Sequence, residues 1–129
     1  MKKFTVFGYK IGYKPQEVSV YTPDEALLAC AQKACPYAKS APLVSGDVFV
    51  STKEKRDLVI DEFSAGACDM ETAAVASVCL KNNTPFLAIR SISDSADEDA
   101  SETYKEENEQ KKDDLLKIAL KTVEQYITI

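Results

Sequence analysis

Residues 68–97, Cys68 to Asp97, read CDMETAAVASVCLKNNTPFLAIRSISDSAD, and the fold turns on how this stretch is parsed. It opens as the end of a strand and continues as a small-residue helix from about Glu71 to Leu80. Asn82-Asn83-Thr84-Pro85 is a turn, because Asn tolerates the left-handed region and proline halts a helix. Pro85 to Ser93 reads as a second strand, apolar on both faces as in the middle of a sheet, and it ends on Asp94. Carboxylates thus fall just past both strands, at Glu71 and Asp94, where α/β sheets place their ligands.

Working outward, the rest of the chain alternates strands and helices. Phe4 to Tyr9 is a candidate strand, followed by a loop with Gly12, Pro15 and several tyrosines. Thr22-Pro23-Asp24-Glu25 reads as a capping box with proline at the first helical position. The helix it opens carries Ala26, Leu27, Cys30, Ala31 and Ala34 on one side and stops before Pro36. Pro42 to Val50 is expected to be a strand broken at Gly46. Ser51 to Glu54 is a second capping box, opening a charged helix with Leu58, Val59 and Phe63 as its apolar residues. A short strand is expected near Ala65 to Asp69. The last helix spans about Tyr104 to Tyr126, with Leu116, Ala119, Leu120, Val123 and Ile127 at helical spacing. The pattern implies one α/β domain over residues 1–129, with no repeat and no linker.

Composition narrows the function classes. The chain has 129 residues, 45% hydrophobic and 29% charged, ordinary values for a soluble domain. No apolar run is long enough to span a membrane, and Met1-Lys2-Lys3 is not followed by a signal-like apolar stretch, so a cytoplasmic protein is expected. Net charge is −5, which argues against nucleic acid as a partner, since phosphate backbones call for a basic face. Residues 97–114 hold nine acids against three lysines, a local −6 that leaves the remainder at +1. Such a run reads as a solvated loop and helix face. Cys30, Cys35, Cys68 and Cys79 lack metal-ligand spacing and histidine is absent, so buried thiols are expected rather than a metal site.

DMETAAVASVC followed by PFLAIRSISDSAD resembles the purine- and ribose-binding segment of the 5′-methylthioadenosine/S-adenosylhomocysteine nucleosidases, within the nucleoside phosphorylase superfamily. The resemblance covers nearly the whole chain but only the second half of the family domain. Phe4 to Tyr13, FTVFGYKIGY, is similar to the segment that follows the family's first strands and glycine-rich loop. It implies part of a three-layer α/β/α domain with a mixed sheet. In the family, the first half supplies the opening strands and the acid that activates water. No cofactor is implied.

Each candidate residue has two readings. Glu71, taken alone, is an acid favoured at a helix start by the helix dipole. By resemblance it is the glutamate that holds the ribose hydroxyls, with Met70 an apolar surface against the sugar rather than a core methionine. Asp69 stands where the family also tends to have an acid and is assigned no role. Asp94, taken alone, caps the loop or helix after its strand. By resemblance it is the aspartate of SISD that gives a proton to purine N7, or hydrogen-bonds there, as the glycosidic bond breaks, with Ser93 orienting it or meeting the base edge. Adenine leaves poorly as an anion, so the base must be protonated while the sugar gains oxocarbenium character. Phe49 matches the family's base-stacking aromatic; its bland reading is a core residue of a strand. Val50 follows with backbone groups toward the base edge. Phe7, Tyr9 and Pro15 match a segment that in the family dimer reaches the neighbouring subunit's alkylthio pocket. Arg90 is expected to be structural.

The implied activity is hydrolysis of the N-glycosidic bond of methylthioadenosine or S-adenosylhomocysteine, giving adenine and a thioribose. Phosphorolysis of a purine nucleoside is the neighbouring alternative. A different class stays open: a nucleoside-binding or assembly module that needs a separate first half. Self-association, as a homodimer or otherwise, is expected in either case, with contacts at Phe4–Tyr13 and the helix faces near Ala73–Cys79, because missing neighbours leave a sheet edge uncovered.

Overall fold

The computed structural model describes residues 4–6, 20–92 and 108–129. Among them the order is β1 (Phe4–Val6), β2 (Val20–Tyr21), α1 (Glu25–Ala34), β3 (Leu43–Ser45), α2 (Lys53–Phe63), β4 (Ala67–Asp69), α3 (Thr72–Lys81) and α4 (Asn108–Ile127). The sheet runs β2-β1-β3-β4 and is mixed: β1 pairs antiparallel with β2 and parallel with β3, and β3 pairs parallel with β4. The β2 strand, only two residues long, was not apparent from sequence.

Strand alternation explains the layers. Val44 points to one face, where it packs with Val50, Val59 of α2, Phe63, Ala65 and Cys68. Ser45 points to the other, where its Oγ accepts from the Ala73 N–H of α3 at 3.0 Å. Helices therefore cover both faces of the parallel strands, as the resemblance implied. Val44, Val50 and Val59 are all buried, each contributing roughly 1.5–3 kcal/mol by leaving water. Gly66 allows the close approach of the loop before β3. A Cβ there would lie 2.3 Å from the Ala41 Cβ.

Both helix starts lie one or two residues beyond the expected capping boxes. Asp24 rather than Thr22 caps α1, its Oδ1 accepting from the Leu27 N–H at 2.9 Å. Thr52 rather than Ser51 caps α2 through the Lys55 N–H. A cap is the residue whose side chain reaches the N–H two or three positions on, and several polar residues in a row leave that choice to the backbone. The α1 helix does end before Pro36, and the Asn82–Thr84 turn forms with Asn83 in the left-handed region at φ 52°.

Two expectations are corrected. Of the strand expected over Pro85–Ser93, residues 85–92 are described and make no ladder among the described residues; the Phe86 carbonyl instead accepts from the Asp24 N–H at 2.8 Å. Apolar content reports burial, whereas a strand also requires a neighbour to pair with, and Phe86 to Ile89 are only half-buried. On α4, four of the five residues chosen by spacing point outward, and only Ala119 faces in. Leu116, Leu120, Val123 and Ile127 are exposed, while Leu115, Ile118, Ala119 and Thr122 turn inward. The packing partner of α4 is α1.

Cys30 and Cys35 are buried as expected, whereas Cys68 and Cys79 are half-buried. Among the described residues no helix is long and apolar enough to cross a membrane, and no group of side chains could hold a metal ion.

Candidate active site

The site is built at the carboxyl ends of β3 and β4. Their register pairs Ser45 with Asp69, so the loops that follow them leave the sheet side by side. From β3 the chain breaks at Gly46, whose N–H donates to the Asp69 carbonyl at 3.1 Å. It then carries Phe49 and Val50. From β4 it carries Met70 and Glu71 directly into α3.

Side-chain exposure separates the two readings of these residues. Phe49 is 56% exposed and Met70 42%, so neither is a core residue of this chain. Val50 is the opposite case: its side chain belongs to the core with Val44 and Val59, leaving only its backbone available to a ligand. Glu71 is exposed and stands at the N-cap position of α3 without a side-chain cap bond. Its Oε2 accepts instead from the Met70 N–H at 3.3 Å.

The cap of α3 comes from Asp69, which sequence reading left without a role. Its Oδ1 accepts from the Thr72 N–H at 3.2 Å, and its Oδ2 accepts from the Thr72 hydroxyl. Arg90 Nη2 lies 2.7 Å from the same Oδ2 and 2.5 Å from Thr72 Oγ1. Burial on its own pushes the Asp69 carboxyl up. The hydroxyls of Thr72 and Ser45, the Thr72 N–H and the Arg90 charge together outweigh it and hold the group below the usual aspartate range. The signal that was available is the spacing Asp69-x-x-Thr72 before a small-residue helix, an acid three residues ahead of an N–H it can cap.

Arg90 thus ties its own segment to the amino end of α3 through Asp69 and Thr72. Ser93, Asp94, Phe7, Tyr9 and Pro15 lie outside the described residues. The arrangement offers an exposed aromatic surface, an apolar side chain and an acceptor carboxylate at one sheet end. A planar base and vicinal hydroxyls are what the family resemblance implies for these groups.

Comparisons with known proteins bear on the family and the fold. The family model described as Phosphorylase superfamily matches residues 3–128. A 5′-methylthioadenosine/S-adenosylhomocysteine nucleosidase of Shewanella piezotolerans is 36% identical over 108 residues, covering 79% of this chain and 47% of its own. An aminodeoxyfutalosine nucleosidase of Helicobacter pylori is 36% identical over 104 residues, covering 78% of this chain and 45% of its own. The crystal structure of the Helicobacter pylori 5′-methylthioadenosine/S-adenosylhomocysteine nucleosidase with butyl-thio-DADMe-Immucillin-A superposes with a TM-score of 0.81 at 29% identity. It covers 96% of this chain and 60% of that one. The chain thus spans about half the length of the curated relatives it matches.

Proposed function

Because this chain belongs to the phosphorylase superfamily, we propose that it binds a purine nucleoside at the carboxyl ends of β3 and β4 and serves N-glycosidic hydrolysis of adenine thionucleosides. The observation that supports this reading is the Ser45–Asp69 register, which starts the loop carrying exposed Phe49 and the turn carrying exposed Met70 and Glu71 from the same end of the sheet. Phe49 stacks on the base, Met70 lies against the ribose, and the Glu71 carboxylate accepts its hydroxyl donors. Asp94 gives its proton to N7 as the bond from the anomeric carbon to N9 breaks. Neutral adenine leaves with the bond's electron pair. Water then adds to the anomeric carbon and gives up a proton to a base.

Directing that water takes a second carboxylate, as in glycoside cleavage generally. In the family resemblance that acid belongs to the first half of the domain, so turnover calls for that half to be supplied. Exposed apolar residues on α3 (Val75, Val78) and α4 support association, with a second copy or with such a partner. The relatives' names divide between methylthioadenosine/S-adenosylhomocysteine and aminodeoxyfutalosine. Competition between the two nucleosides decides the 5′-substituent.

Adenine release from methylthioadenosine tests the proposal. The chain alone is expected to release none, and mixing it with a polypeptide carrying the first half of a family member is expected to restore release. In that assembly Asp94→Asn lowers turnover about 10²–10⁴-fold. Near-normal turnover by Asp94→Asn contradicts the acid assignment, and a monomer that hydrolyses methylthioadenosine unaided contradicts the division of labour.

A further inference from the structure

The first turn of α3 is satisfied by two side chains, and Glu71 is neither of them. Asp69 takes the Thr72 N–H and Ser45 Oγ takes the Ala73 N–H. Hydrogen positions follow from donor counts. The Thr72 hydroxyl gives its one hydrogen to Asp69 and accepts from Arg90. The Ser45 hydroxyl accepts from Ala73 and helps hold the Asp69 carboxyl low. Asp69 therefore takes the Thr72 N–H, the Thr72 hydroxyl and Arg90, joining the first turn of α3 to the segment 84–92. Thr72 and Ser45 are each only 1% exposed, so their hydroxyls depend on these partners.

We propose that Asp69 is the positioning residue of this site, holding the Met70–Glu71 turn and the segment that runs on to Asp94 in one register through Thr72 and Arg90. By capping α3 itself it relieves Glu71 of that task, and the Glu71 carboxylate stays available at the helix end. The grip of Arg90 on Asp69 and Thr72 ties the described segment up to Ile92, the base side in the functional reading above, to the ribose-side turn. A ligand that touches both sides depends on that register, and a ligand that touches only the base side does not.

The test compares methylthioadenosine with free adenine by calorimetric titration of the purified chain, in wild type, Asp69→Asn, Arg90→Gln and the double variant. Only this ligand arm rests on the functional reading above. Each single change is expected to weaken methylthioadenosine about tenfold while adenine weakens less than about twofold, and the double variant is expected to be no worse than either single. Equal weakening of both ligands, or additive losses in the double variant, overturns the proposal. Binding of neither ligand by the wild type counts against the functional reading alone, and the decision passes to the amide spectra of the ligand-free chain. There Asp69→Asn is expected to move resonances at both Glu71–Ala73 and Ser91–Ile92. Shifts confined to Glu71–Ala73, in a variant whose melting temperature stays close to wild type, overturn the proposal.

Discussion

The amino end of α3 and the outer face of α4 are built in opposite ways. At the first, polar side chains are buried: Ser45 and Thr72 are each 1% exposed around Asp69. At the second, apolar side chains face outward, with Leu116 at 59% and Ile127 at 72% exposure. Each reverses the usual sorting of side chains, and each reversal has a physical cause. Buried hydroxyls are stable only where every donor finds an acceptor, and the Asp69 carboxylate supplies them. Outward leucines remain where a face has no packing partner within the described residues. The first reversal marks where the chain is held rigid, and the second marks where another surface can cover it.

Removing the acceptor at the α3 end is the strongest way to break this contrast. Asp69→Ala leaves the Thr72 N–H, two buried hydroxyls and Arg90 without their common partner. It is expected to destabilise the chain by about 2 kcal/mol in urea unfolding. A loss comparable to an ordinary surface substitution, within about 0.5 kcal/mol, counts against the network.

A smaller effect follows from the sign of the Asp69 shift. Its folded carboxyl titrates below the usual aspartate range, so the unfolded chain binds the proton more readily. The stabilisation is complete above the unfolded value of about 3.9 and is lost as pH falls through the depressed folded value. The stability gap between wild type and Asp69→Asn is therefore expected to be constant above about pH 5 and to narrow at lower pH. Unfolding curves taken across that range that stay parallel contradict the assignment.

The smallest effect belongs to α4. Leu120→Lys on the outward face is expected to change the unfolding free energy of the monomer by less than about 0.5 kcal/mol while reducing association seen by sedimentation. Destabilisation of the monomer by several times that amount means that α4 is turned the other way.

The contrast also shows what the sequence discloses. Met70 and Glu71 stood out because two linked motifs surround them, and the structure adds that both are exposed, as is Phe49; the end of α1 before Pro36 was legible from backbone chemistry, whereas the strand expected over Pro42–Val50 covers only Leu43–Ser45. The α4 face was not. Leu115 and Leu116 sit side by side in the sequence, and spacing gives a stripe without saying which stripe meets α1. The stretch from Pro85 was misread for a related reason, since apolar content cannot show whether a pairing strand is present. Asp69 was passed over because Glu71, two residues on, matched the better-known role. Which acid caps α3 depends on the turn geometry between them.

Ligand seating at the ends of β3 and β4 is the claim on which every proposed role depends. A titration of the isotope-labelled chain with methylthioadenosine, followed by its amide spectrum, measures that. The expected result is saturable shifts at Phe49, Met70 and Glu71, together with Ser93 and Asp94, and little change along the outer face of α4. Saturating methylthioadenosine that leaves Phe49, Met70 and Glu71 unmoved contradicts the account.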